Sequence, residues 1–179
     1  MSVKIYTDGS CLGNPGAGGY AAIIIDETGN RVEITGGEKL TTNNRMELTA
    51  AIVALEKISA GEFAEIFTDS NYLKNAFVQG WLINWKRRGW KTAARTPVLN
   101  KDLWLKLDAL ISARRVRFNW VKGHAGNKFN ERCDELARAE ATAQKNPAPT
   151  ESVPAQKNST PATDADKIPE KLPIQLTLF

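Results

Sequence analysis

Four carboxylates occupy places from which a folded chain can bring distant residues together. They are Asp8 in Tyr6-Thr7-Asp8-Gly9-Ser10, Glu47 in Asn43-Asn44-Arg45-Met46-Glu47-Leu48, Asp69 in Phe67-Thr68-Asp69-Ser70, and Asp134 in Asn130-Glu131-Arg132-Cys133-Asp134-Glu135. Four acids in one place repel one another unless a positive charge sits among them. An oxygen-only ligand set without cysteine suits a hard divalent cation, magnesium or manganese. Each acid also has a plainer explanation. Asp8-Gly9 reads as turn chemistry, and Asp69 as a cap for a following helix. Glu47 follows Asn44 at capping-box spacing, and Asp134 complements a helix N-terminus. Only the joint pattern favours chemistry.

The elements that must position these acids follow from hydrophobic periodicity. Val3–Thr7, Gly19–Asp26 and Arg31–Gly36 read as strands, with a Gly/Pro-rich loop between the first two and a turn at Glu27-Thr28-Gly29-Asn30. Arg45–Ile58 has helical spacing, with Met46, Ala50, Val53 and Ala54 on one face. Glu65–Thr68 is a fourth strand and Ser70–Val78 a helix. Asp102–Ile111 is helical, Val116–Val121 a fifth strand, and Asn127–Ala143 a last helix. Short connections predict an antiparallel meander for the first three strands, and helical crossovers make the last two parallel to the first. One mixed α/β sheet results, with Asp8 and Asp69 ending neighbouring strands at the edge where such sheets carry their sites.

Composition sets the bounds. Hydrophobic residues make up 42% and charged residues 25% of 179 residues, a globular balance. No apolar run approaches the roughly 20 residues of a membrane span, and no signal region precedes the first strand. A cytoplasmic chain with no membrane partner is expected. Cys11 and Cys133 form no CxxC pair and read as free thiols. A net charge of +4 is compatible with a polyanionic partner without demanding one.

The segments quoted above, the second beginning at Thr42 and the last running on through Leu136-Ala137, together with Val121-Lys122-Gly123-His124-Ala125-Gly126, resemble in order and spacing the signature blocks of bacterial type 1 ribonuclease H across residues 1–143. The resemblance implies the ribonuclease H-like fold, a mixed five-stranded sheet flanked by helices. It also implies a monomeric endonuclease cutting the RNA strand of RNA–DNA hybrids to leave 5′-phosphate and 3′-hydroxyl ends. By the same resemblance Asp8, Glu47, Asp69 and Asp134 are catalytic and hold two magnesium ions, with manganese as a substitute. Two such ions can flank a phosphate and serve both its attacking and its leaving oxygen. His124, the sole histidine, lies between small residues in a loop, a placement suited to moving a proton or releasing product.

Substrate contacts follow on the same footing. The resemblance suggests Cys11, Asn14, Asn43, Asn44 and Asn71 against the hybrid, and Thr42, Arg45 and Asn14 around a phosphate of the DNA strand. Many relatives carry glutamine where this chain has Asn71, so that contact is expected to be shorter or lost. Between Ser70 and Lys101 there is no acid, while Lys74, Lys86, Arg87, Arg88, Lys91, Arg95 and Lys101 supply positive charge, with Trp81, Trp85 and Trp90 interleaved. In the family this region is a basic protrusion along the DNA backbone. Trp85, Trp104 and Trp120 are expected in the core, whereas the charge run suits phosphate contact. Rival readings are a DNA strand-transferase or resolvase on the same fold, and a hybrid-binding module without catalysis. The basic Trp-rich segment and the His124 block speak against the first, and the presence of all four acids against the second.

Residues 144–179 change character. Six of the eight prolines fall there, and four lysines offset four acids, so a disordered tail is expected. It closes with Ile174 and then Gln175-Leu176-Thr177-Leu178-Phe179, which resembles the Q-L-x-L-F peptide by which bacterial replication and repair proteins dock on the polymerase sliding clamp. Leu178 and Phe179 would fill a pocket there, with Gln175 and Leu176 in an adjoining groove. A link to DNA replication is the expectation.

Overall fold

The computed structural model describes residues 2–121 and 126–146. A five-stranded sheet in the order β3-β2-β1-β4-β5 forms its middle layer. Strands β1 (Ser2–Gly13), β2 (Gly16–Ile25) and β3 (Arg31–Thr41) make the antiparallel meander, and β4 (Phe63–Thr68) and β5 (Arg115–Trp120) extend it in parallel. Helices α1 (Asn43–Glu56), α2 (Asn71–Val78), α3 (Trp81–Arg87), α4 (Lys101–Ser112) and α5 (Lys128–Lys145) surround it. This is the mixed sheet that the periodicity predicts. No helix among the described residues is long and apolar enough to cross a membrane.

Alternation along the strands builds two apolar layers. Ile5, Ala22, Ile24 and Ile66 face α1, α2 and α4, while Tyr6, Ala21 and Ile23 face Cys133 and Ala137 of α5. Glycine sets how closely the helices lie. A Cβ at Gly19 of β2 would come within 2.5 Å of the Ala141 amide nitrogen of α5. Helix α1 shows no single apolar stripe, because eight of its fourteen residues are buried. It is packed between the sheet and α4, so Leu48, Ile52 and Leu55 are buried as well as Met46, Ala50 and Ala54. Such a helix is apolar almost all round.

The structure differs from the sequence reading at several boundaries. Strand β1 runs on to Gly13 and β2 begins at Gly16, so the two meet at a turn of only Asn14-Pro15, and β3 runs on to Thr41. Helix α1 begins at Asn43, and α5 continues to Lys145, beyond the expected end at Ala143. Helix α3 is additional. Gly80 in a left-handed conformation (φ 67°) breaks the chain after α2, and Leu82 then buries against the core with Trp81 and Trp85 half-buried beside it. Trp104 is fully buried as expected, while Trp85 and Trp120 are only partly so. The segment 122–125, which includes His124, and residues 147–179, which include the tail peptide, lie outside the described residues.

Candidate active site

Strand pairing brings the first two acids together. The parallel β1–β4 ladder runs from Ser2↔Phe63 to Tyr6↔Phe67, and the same register carried two residues further sets Asp8 opposite Asp69. β4 ends at Thr68, so Asp69 is released from the sheet, whereas Asp8 remains within β1, held by its antiparallel pairing to Ala21 of β2. Glu47 arrives from α1. That approach requires Gly9, because a Cβ there would lie 2.6 Å from the Met46 carbonyl carbon and closer still to the Glu47 nitrogen. One oxygen from each of Asp8, Glu47 and Asp69 lies within 4.8 Å of the others.

The plainer explanations of these acids fail locally. Asp8 lies inside a strand and not in a turn. The N-cap of α2 is Ser70, whose Oγ accepts from the Leu73 amide at 3.3 Å, so Asp69 caps nothing. Thr42 caps α1 by accepting from the Arg45 amide, so Glu47 is not the partner of an Asn44 cap. α5 is capped by Asn127, and Glu131 is the acid of its first turn; Asp134 lies further in.

Electrostatics record the cost of this convergence. Burial, then Asp69, then Asp134 push the Asp8 carboxyl up to about 7, opposed by the Gly9 N–H and by the Arg138 charge. Burial, followed by Asp8 and Asp69, drives Glu47 well above the usual carboxylate range. Both shifts have the sign expected for buried like charges. Glu47 Oε2 is buried and accepts no hydrogen bond, a strong acceptor left open to a cation. Three carboxylates, one with an orphaned oxygen, fit a hard divalent ion.

An open cleft of about 310 Å³ surrounds the cluster, lined in part by Asn43, Asn44, Asn71 and Asp134. Asp134 shares the cleft but not the three-acid cluster; it is paired with Arg138, whose Nε lies 2.8 Å from its Oδ1. Asn14, at the tip of the β1–β2 hairpin, accepts from the Asn43 amide at 3.3 Å. Cys11 Sγ reaches the carbonyls of Gly16 and Thr41, each at 3.5 Å. Thr42 and Arg45 are close by, but Arg45 is already held by Asp102 through two bonds of 2.8 and 3.1 Å. Trp81 is half-buried and packs near Trp85, with ring centroids 6.0 Å apart. On the basic segment Lys86 pairs with Asp108 of α4 at 2.9 Å, while the Arg87 and Arg88 side chains are exposed and in no ion pair among the described residues.

Four cleft residues escaped the sequence reading, the first of them Ser70, the N-cap of α2. Tyr72 lines the cleft, and its hydroxyl accepts from Trp104 Nε1 at 3.0 Å, which ties the cleft wall to the core. Asn130 is buried with its Oδ1 unpartnered, and Glu131 stands beside it on the first turn of α5. Asn130 and Asp134 are four residues apart, the helical spacing that puts both on one face; that signal was present in the sequence.

Known proteins are similar to this chain in sequence and fold. The RNase H family model matches residues 1–142. Ribonuclease H of Cronobacter sakazakii is 55% identical over 141 residues, covering 79% of this chain and 88% of that protein. Ribonuclease H of Enterobacter sp. (strain 638) is 57% identical over 139 residues, covering 78% and 88%. Among solved structures, LC9-RNase H1, a type 1 RNase H with the type 2 active-site motif, superposes with a TM-score of 0.69 at 31% identity over 80% of this chain and 73% of its own. LC11-RNase H1 in complex with RNA/DNA hybrid gives 0.58 at 27% identity over 78% and 96%. Sequence identity over most of each chain and the superposition of the fold agree, and the chain belongs to the RNase H family of enzymes.

Proposed function

We propose that this chain hydrolyses the RNA strand of RNA–DNA hybrids, leaving 5′-phosphate and 3′-hydroxyl ends, with divalent cations held by Asp8, Glu47, Asp69 and Asp134. The observation that carries the reading is the buried Asp8–Glu47–Asp69 cluster with an open Glu47 oxygen, in a family with a relative solved in complex with RNA/DNA hybrid. Two magnesium ions, or manganese in their place, would supply charge stabilisation at the attacking and leaving oxygens of the phosphate. The chain's part is to fix those carboxylates on a strand, a helix and a strand end, and to shape the cleft around the nucleic acid. Asn43, Asn44 and Asn71 offer amides to sugar hydroxyls and base edges from the cleft wall, and Cys11 and Asn14 approach from the hairpin tip. A DNA phosphate gripped by Thr42, Asn14 and Arg45 would share the guanidinium with Asp102. Strand-labelled hybrid, duplex DNA and duplex RNA offered in parallel test the selectivity. Cleavage of the RNA strand of the hybrid alone is expected, and cleavage of duplex DNA would overturn the reading.

The basic segment is assigned to the DNA backbone, with Trp81 supporting Lys86, Arg87 and Arg88. Neutralising these three cations should weaken hybrid binding and flatten its dependence on salt by about 0.9 logarithmic units per lost contact. Because Lys86 is paired with Asp108, the Arg87 and Arg88 changes should carry most of that effect. An unaltered salt slope would place the charges in solvent. Turnover at saturating hybrid should survive.

His124 is assigned to proton movement or product departure. His124→Ala should slow turnover by about 10²–10⁴-fold, the range of positioned acid–base groups, with hybrid affinity little changed. Equal turnover from pH 6 to 9 would make the residue structural.

The terminal Gln175-Leu176-Thr177-Leu178-Phe179 peptide is assigned to docking on a bacterial sliding clamp, with the preceding segment as a tether that raises local concentration. Two or three apolar side chains seated in a pocket, less the cost of ordering the peptide, correspond to roughly micromolar affinity. Titrating the tail peptide against a sliding clamp should give saturable binding that Leu178→Ala and Phe179→Ala abolish. Equal binding by that control would end the assignment.

A further inference from the structure

Eight ion pairs occur among the described residues, and one of them engages an acid of the cleft. Arg138 forms an ion pair with Asp134, its Nε 2.8 Å from Oδ1. The two residues are one helical turn apart on α5, the spacing at which side chains meet on a helix surface. Asp134 is correspondingly absent from the trio whose oxygens gather within 4.8 Å, although it lines the same cleft. The influence of Arg138 extends to Asp8, where its charge opposes the upward push of burial and of the other acids. By contrast Arg132, two residues before Asp134, is committed to Glu33 and Glu135.

We propose that Arg138 is a positioning residue that serves as the resident counter-cation of the fourth acid. It holds Asp134 apart from Asp8, Glu47 and Asp69, and it must yield that carboxylate before Asp134 can help hold a second divalent ion. This rests on the cation-binding reading above. The first ion meets three carboxylates already assembled, whereas the second competes with a guanidinium. Arg138 therefore sets the cation concentration at which the second position fills. The pair is partly exposed, its side chains 59% and 22% accessible, so the competition is worth about two- to fivefold in affinity and no more.

The test is a manganese(II) titration of the full chain without nucleic acid, following the free-ion electron paramagnetic resonance signal. The wild type should show a tighter and a weaker binding step. Arg138→Gln should tighten the weaker step about two- to fivefold and leave the tighter one unchanged. Arg138→Lys, which keeps the charge, should stay near wild type, and Arg132→Gln should not differ from it. An unchanged or weakened second step in Arg138→Gln would overturn the proposal. So would equal tightening in Arg132→Gln, which would reduce the effect to net charge, or the absence of any weaker step in wild type. Failure of the underlying reading looks different: no manganese bound by wild type at all, or full binding retained by Asp8→Asn.

Discussion

Asp8→Asn and Asp69→Asn proteins are expected to fold, to bind hybrid, and to cut it at least about 10³-fold more slowly than wild type. An amide is a far poorer ligand for a hard cation than a carboxylate, and losing several kcal/mol of charge stabilisation at the phosphate corresponds to a rate loss of about that size. Asp134→Asn should cost less, because Asp134 stands outside the three-acid cluster and is engaged by Arg138. Near wild-type cleavage by Asp69→Asn would remove the acids from the mechanism. Stability should move the other way. The Asp8 carboxyl, raised from 3.8 to about 7 chiefly by burial, holds its proton in the fold where the unfolded chain has already released it. Wild type therefore loses stability as pH rises from about 4 to about 7, and the deficit is complete above that range. In chelator at pH 8, Asp8→Asn should be the more stable protein by about 1–4 kcal/mol, given about 1.4 kcal/mol per tenfold change in proton affinity. Near pH 3 the difference should vanish. Urea melts at the two pH values measure it, and no gain at pH 8 would contradict the electrostatic account. Adding magnesium should narrow the gap by stabilising the folded wild type.

Gly9→Ala is expected to be the most damaging small substitution near the site. Its methyl would overlap backbone atoms of Met46 and Glu47, which no rotamer change can relieve. Either β1 or α1 must move, at about 1–3 kcal/mol or more for overpacking of a dense core. The displacement falls on Glu47, so cleavage should drop well beyond what the stability loss explains. A displacement of about 1 Å at a reacting centre is enough to cost about 10²-fold. Gly29→Ala is the comparison. Gly29 has open space around it but a φ of 88°, so alanine there should cost about 1 kcal/mol of strain and leave cleavage intact. Thermal melts and hybrid cleavage on both proteins separate the two cases. A fully active Gly9→Ala would show that the close approach of β1 and α1 is not what places Glu47.

Much of this was legible in the sequence where the signal was local. The parallel neighbourhood of β1 and β4 follows from a helical crossover, and with it the meeting of Asp8 and Asp69. The separation of Asp134 from the trio was not legible, because it depends on the phase of α5 and on Arg138, a residue with no motif of its own. Gly9 passed unnoticed as a determinant because its role is the absence of a Cβ beneath a helix distant in sequence. The unbroken charge run hid the Lys86–Asp108 pair, since its acid lies on another element. Helix α3 has no clear signal because Gly80 interrupts the pattern and its charge run resembles a basic protrusion, although Trp85 already pointed to a contact with the core. The burial of α1 on two sides erased the single stripe that periodicity seeks.

The central claim is that these carboxylates hold the cation with which the chain cuts RNA in a hybrid. Its most direct measurement uses an RNA–DNA hybrid with each strand labelled separately, incubated with the metal-stripped full chain, first in chelator and then with magnesium in excess. The account predicts that both strands stay intact in chelator and that only the RNA strand is cut once magnesium is added, giving fragments with 5′-phosphate and 3′-hydroxyl ends. Cutting of RNA in chelator, cutting of the DNA strand, or no cutting with magnesium present would contradict it.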